Sequence, residues 1–144
     1  MPITIGPTTP SQFPDILAFW HRATEVPSST DDLPGLHELF GRDPEALLVA
    51  VDHDEIVGTM IATWDGWRAG FYRLGVLPDR RHQGIGRRLV EAGEERCRGL
   101  GARRISLFAV EAHEGAVGFW LALGYRRDVD DIRFTRDLLP PPSA

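Results

Sequence analysis

Lysine is absent from this chain of 144 residues, and cysteine occurs once, as Cys97. Without lysine there is no P-loop phosphate clamp, no Schiff-base amine and no Ser-Lys dyad. A single cysteine excludes an internal disulfide and a cysteine-rich metal cluster. No apolar run approaches the roughly 20 residues needed to cross a bilayer. The start Met1-Pro2-Ile3-Thr4 lacks the basic flank and apolar stretch of a signal peptide. A soluble, cytoplasmic protein that engages no membrane is therefore expected. What is present is ordinary for a globular chain, with 42% hydrophobic and 26% charged residues. The length suits one domain with a single core. Residues 1–139 are expected to form that domain, and the proline-rich stretch 140–144 a tail.

The net charge of -5 is unevenly spread. Residues 1–67 carry 2 arginines against 11 acids, residues 68–104 carry 10 against 4, and residues 105–144 carry 4 against 6. A basic middle thus sits inside an acidic frame. No aromatic-rich RNA motif, zinc finger or basic helix accompanies the arginines, so nucleic acid is not the expected partner. An anionic small ligand fits better.

Local signals place the elements. Thr9-Pro10-Ser11-Gln12 reads as a capping box before Phe13, Ile16, Leu17 and Trp20, although Pro14 allows the helix to start there instead. Leu36, Leu39 and Phe40 suggest a second short helix. Strands are predicted at 47–51 and 56–64, joined through Asp52-His53-Asp54. The hairpin signal Asp65-Gly66 leads to a strand at 71–77, which Pro78 ends. From Gly84, the residues Ile85, Leu89, Gly93, Cys97 and Leu100 recur at helical spacing until Gly99 and Gly101 stop the run. A strand at 104–110, a helix through Ala116, Phe119, Trp120 and Leu123, and a last strand at 132–138 complete a mixed α/β pattern.

The sharpest motif is Arg80-Arg81-His82-Gln83-Gly84-Ile85-Gly86-Arg87-Arg88-Leu89, between a predicted strand and a predicted helix. A helix start offers unpaired N–H groups and partial positive charge to phosphate. Glycines there let oxygens reach the backbone. A Rossmann reading fails because Leu89 stands at the third glycine position, and a Walker A reading fails without lysine.

The order of elements around this turn resembles the GNAT family of N-acetyltransferases, whose signature is Arg/Gln-x-x-Gly-x-Gly/Ala. Arg81-His82-Gln83-Gly84-Ile85-Gly86 fits that signature. Arg73-Leu74-Gly75-Val76-Leu77-Pro78 resembles the preceding strand. His113-x-x-Ala116-x-x-Phe119-Trp120-x-x-x-Gly124-Tyr125 resembles a later Asn-x-x-Ala-x-x-Phe-Tyr-x-x-x-Gly-Phe segment. The likeness covers residues 3 to 138 and is strongest to small single-domain bacterial members. It implies a mixed, mostly antiparallel sheet of about six to seven strands flanked by about four helices. It also implies acetyl-CoA as co-substrate, a small-molecule or peptide amine as acceptor, and a monomer or homodimer.

Residue by residue, the resemblance implies that backbone groups from Arg81 through His82, Gln83, Gly84, Ile85 and Gly86 to Arg87 hold the pyrophosphate. Arg80, Arg81, Arg87 and Arg88 would add charge. Leu74, Gly75 and Val76 would pair with the pantetheine arm, and one N–H there would polarise the thioester carbonyl. The strands 71–77 and 104–110 would splay to admit the cofactor. His113, Phe119 and Trp120 would line it.

The family commonly places an acidic tyrosine where this chain has Trp120. A thiol of pKa about 8.5 leaves adequately without strong acid help, so an active enzyme remains the main reading, with a non-catalytic acyl-CoA-binding module as the alternative. Glu111 and Tyr72 are the candidate general bases; a capping acid and a core aromatic are their plainer readings. Trp20, Trp64 and Trp67, with Glu25, Asp31 and Asp32, either favour a cationic amine or are core tryptophans and solvated acids.

Overall fold

The computed structural model describes residues 2–23, 28–109 and 115–139. Gln12 accepts the Thr9 N–H at 3.0 Å, and the capping box nucleates one turn of 3₁₀ helix, Pro10–Gln12. The α-helix α1 (Phe13–Ala23) follows directly, so both sequence signals operate in succession. α2 (Leu33–Arg42) starts where the Asp32 carboxylate accepts the Gly35 N–H at 2.8 Å.

Five strands form one sheet among the described residues: β1 (Thr4–Pro7), β2 (Leu47–Asp52), β3 (Glu55–Trp64), β4 (Ala69–Val76) and β5 (Ile105–Leu107), in that spatial order. β1 to β4 are antiparallel neighbours, whereas β5 runs parallel to β4. The parallel pair follows from the crossover through α3 (Ile85–Leu100), which returns the chain to the same end of the sheet. α4 (Ala116–Ala122) is the fourth α-helix. The chain divides into two compact units, residues 1–107 with the sheet and α1 to α3, and residues 108–144 with α4.

One strand went unannounced and one strand expectation is corrected. The short β1, which carries Gly6 and Pro7, has too little alternation to announce itself. The expected strand at 132–138 is absent: the described residues 126–139 contain no strand, so among the described residues the sheet has five strands rather than six to seven. Ile132 and Phe134 alternate with charged and polar neighbours as a strand would, yet alternation creates no strand without a backbone partner. That stretch makes no ladder, and Ile132, Phe134 and Leu138 stay exposed.

α3 buries Ile85, Leu89, Val90, Gly93 and Cys97. Gly93 permits close approach to the sheet, because a Cβ there would sit 2.4 Å from Met60 Cε and 3.0 Å from Phe71 Cε1. Arg96 donates to Ala62 O at 3.2 Å and pairs with Asp43, tying α3 to β3 and to the end of α2. The Cys97 thiol is packing, its pKa raised by burial.

Candidate functional site

The segment between β4 and α3 is a hydrogen-bonded, donor-rich turn. Leu77 N–H bonds Val57 O at 3.0 Å, and Arg80 N–H closes a 3₁₀ turn onto Leu77 O at 2.9 Å. His82 (φ +64°) and Gly84 (φ +80°) then take left-handed conformations, and Gly84 becomes the N-cap of α3. No side chain caps this helix, and a Cβ at Gly84 would meet nothing within 4 Å. The first N–H groups of α3, at Ile85, Gly86 and Arg87, therefore face outward without a side-chain acceptor.

The arginines of the turn have protein partners. Arg80 is paired with Asp52 at the end of β2, and that guanidinium holds the Asp52 carboxyl below its usual range. His53 Nδ1 lies 2.8 Å from the same carboxylate, within a β2–β3 turn whose His53 and Asp54 also have positive φ. Arg81 Nε donates to Val76 O at 3.3 Å, Arg87 pairs with Glu91 one turn along at 3.2 Å, and Arg88 donates to Ile3 O at 2.9 Å. Arg80 thus fastens the turn to β2, while Arg81, Arg87 and Arg88 stay at the surface around it.

On the preceding strand, the β3–β4 ladder pairs Thr59 with Gly75 and Ile61 with Tyr72, so Arg73 and Leu74 together oppose Met60 alone. This is a β-bulge on β4. Arg73 has φ +54°, which costs a non-glycine residue about 1–2 kcal/mol. Its side chain pairs with Asp31, with Nε 3.2 Å from Oδ1, and its guanidinium carbon lies 5.5 Å from the Trp20 ring centroid. β4 pairs with β5 only at Ala69, Gly70 and Phe71. From Tyr72 to Val76 the β5-facing edge of β4 has no strand partner among the described residues, so it can accept an extended ligand as an added strand.

Of the expected site residues, Leu74, Gly75 and Val76 lie on this open edge, and Arg81 to Arg88 form the turn and first helical turn that follow. Tyr72 is 51% exposed beside the bulge rather than a core aromatic. Phe119 and Trp120 lie on α4, where the Trp120 ring meets Phe119 edge-on at 5.2 Å and Tyr125 at 4.9 Å. Glu111, His113 and Glu25 fall outside the described residues. The aromatic and acidic set expected around a cationic amine is largely committed elsewhere. Trp20 is buried and donates to Thr59, Asp31 pairs with Arg73, and Asp32 caps α2. Trp67 is 71% exposed, with Arg68 stacked 4.3 Å from its centroid. Asp65 is the turn residue expected, accepting from Trp67 and Arg68 N–H at 2.7 and 2.6 Å. Among the described residues no group of three His, Cys, Asp or Glu could hold a metal.

Sequence reasoning missed Thr59, Asp52 and Arg73. The available signal for Thr59 was a polar residue inside the apolar run 56–62; it is fully buried.

The sequence profile described as "Acetyltransferase (GNAT) family" matches residues 13–125. An acetyltransferase of Pectobacterium atrosepticum is 30% identical over 127 residues, covering 88% of this chain and 89% of that protein. An acetyltransferase of Photorhabdus laumondii is 27% identical over 128 residues, covering 88% and 90%. Among solved structures, an aminoglycoside N-acetyltransferase in complex with CoA superposes with TM-score 0.79 at 16% identity, covering 96% of each chain. The aminoglycoside 6'-N-acetyltransferase of Acinetobacter baumannii gives TM-score 0.76 at 20% identity, covering 95% of this chain and 99% of that one; both likenesses are of fold. With its strand–turn–helix motif, the bulge on β4 and these relatives together, the chain belongs to the GNAT family of acetyltransferases and is an acyltransferase.

Proposed function

We propose that this acyltransferase moves the acetyl group of acetyl-CoA to a primary amine of a small molecule or peptide, by direct transfer within a ternary complex in the cytoplasm. The observation that carries the reading is the continuity of two backbone donor sets. The open edge of β4 ends at Val76, and the uncapped start of α3 follows at Ile85. A diphosphate fits the second set because Gly84 leaves open space and no side chain competes for the helix N–H groups.

Backbone groups from Arg81 to Arg87 hold the pyrophosphate in this reading, with Gly84 and Gly86 letting its oxygens approach. Surface Arg81, Arg87 and Arg88 add charge, whereas Arg80 acts through its pairing with Asp52. Leu74, Gly75 and Val76 bind the pantetheine arm as a pseudo-strand. Phe119, Trp120 and His113 take the cofactor-contact role that the family resemblance gives them. Acetyl-CoA supplies an activated acyl thioester. An N–H of the β4 bulge stabilises the charge that develops on its carbonyl oxygen. Glu111 or Tyr72, directly or through water, takes the proton of the incoming ammonium. The C–N bond forms as the C–S bond breaks, and the thiolate departs with Trp120 in place of an acid, taking up through water the second proton that the nitrogen releases. The aminoglycoside N-acetyltransferases of similar fold support an amine acceptor. One GNAT domain through residue 139, acting as monomer or homodimer, completes the proposal.

Thiol release from acetyl-CoA across aminoglycosides, polyamines and peptide N-termini tests it. Turnover with at least one amine is expected. Tight CoA binding with no turnover over the whole panel would leave only a binding module.

A further inference from the structure

The strained bulge on β4 is held by a buried hydrogen-bond chain that no step above uses. Trp20 Nε1 donates to Thr59 Oγ1 at 3.0 Å, and Thr59 Oγ1 donates to Arg73 O at 2.9 Å. Thr59 is 0% exposed and Trp20 4% exposed. The direction is fixed by chemistry: an indole N–H can only donate, so the hydroxyl accepts there and spends its one proton on the carbonyl. The Arg73–Leu74 peptide is thereby pinned with its carbonyl turned to β3. In a trans peptide the following N–H points the opposite way. Leu74 N–H is therefore directed to the far edge of β4, the edge that β5 leaves open beyond Phe71. Arg73 adds a second fastening through Asp31, which holds its side chain while the backbone stays at φ +54°. Backbone strain of this kind persists only where surrounding contacts over-determine it, and it concentrates at functional sites.

We propose that Thr59, oriented by Trp20, is a positioning residue that aims Leu74 N–H at the acyl carbonyl oxygen of the bound thioester. The inference rests on the acetyl-CoA reading above and names what orients the polarising N–H within it. Neither Thr59 nor Trp20 touches the reacting atoms. Their effect lies in geometry, where an error near 1 Å can cost about a hundredfold in rate.

The test is isotope-edited infrared spectroscopy of acetyl-CoA labelled at the thioester carbonyl, with binding followed by calorimetry. In the unaltered protein the carbonyl stretch moves to lower frequency on binding. Thr59→Val removes the hydroxyl at nearly constant shape. It is expected to abolish that shift and lower kcat by roughly tenfold to a hundredfold, with CoA affinity unchanged. Thr59→Ser keeps the hydroxyl and is expected to restore both. A full shift retained in Thr59→Val overturns the proposal, as does failure of Thr59→Ser to restore it. Should Thr59→Val not fold, Trp20→Phe decides: a diminished shift supports the chain, and an unchanged one overturns it. Failure of the unaltered protein to bind acetyl-CoA would instead refute the acetyl-CoA reading itself.

Discussion

Gly84→Ala separates the cost of a conformation from the cost of a lost ligand. Gly84 has φ +80° and ψ 6°, and an added Cβ would meet nothing within 4 Å. The protein therefore suffers no clash, only the left-handed conformation of a non-glycine residue, about 1–2 kcal/mol. Gly66, in the β3–β4 hairpin, has φ +93° and equally open surroundings. Gly66→Ala is thus a matched control away from the turn, and both variants should lose a similar few degrees of Tm. They part company in ligand binding. At Gly84 the methyl group occupies the surface that phosphate oxygens approach in the proposed cradle. Displacing one charge-assisted hydrogen bond forfeits about 1.5–3 kcal/mol, which is roughly a tenfold to hundredfold loss of affinity. Calorimetry with CoA, at a temperature where both variants are folded, reads the difference. Equal CoA affinity in Gly84→Ala and Gly66→Ala would refute the phosphate cradle at this turn.

Leu89→Ala empties a fully buried position of α3 and is expected to cost about 2–5 kcal/mol, read as a fall in Tm or denaturation midpoint. A loss well under 1 kcal/mol would contradict the packing of α3 on the sheet. Acid sensitivity follows from Asp52, held below its ordinary 3.8 chiefly by its hydrogen bond to Arg80, and from Asp65, held down by Arg68 and Trp67 N–H. A depressed folded pKa contributes stability above the unfolded value that is lost as pH falls through the folded one. Asp52→Asn should therefore lower Tm at neutral pH, with the gap to the unaltered protein closing as pH drops below 3.8; a gap independent of pH would remove the ion pair from the account. Gly86→Val, which sets branched methyls at the first turn of α3, is expected to abolish CoA binding while far-UV circular dichroism stays unchanged, and retained affinity contradicts it. Glu111→Gln and Tyr72→Phe distinguish the two candidate bases: removing the true one abolishes the acid limb of the kcat profile, and a profile unchanged in both variants excludes both.

Local chemistry was readable and distant pairing was not. The turn at 81–86 could be found because its glycines, its place after Pro78 and the helical repeat behind it lie within one short stretch of sequence. The Thr9–Gln12 box and the Asp65-Gly66 hairpin were legible for the same reason, each being satisfied within three residues. The bulge at Arg73 left no mark, since nothing about an arginine announces a left-handed backbone. What holds it arrives from elsewhere in the chain: Asp31 is 42 residues away and Thr59 is 14. The arginine-rich middle was visible as charge, but its division into fasteners and surface cations was not, because the Arg80 partner Asp52 is 28 residues distant. The expected strand at 132–138 fails on the same ground: periodicity reports which face a strand would bury, and only a partner makes it a strand.

A crystal structure with CoA bound tests the central claim most directly. Pyrophosphate oxygens are expected within hydrogen-bond distance of N–H groups between Arg81 and Arg87, with the pantetheine arm laid along Leu74 to Val76. CoA bound elsewhere, or held only by arginine side chains with the α3 N–H groups left to solvent, would contradict it.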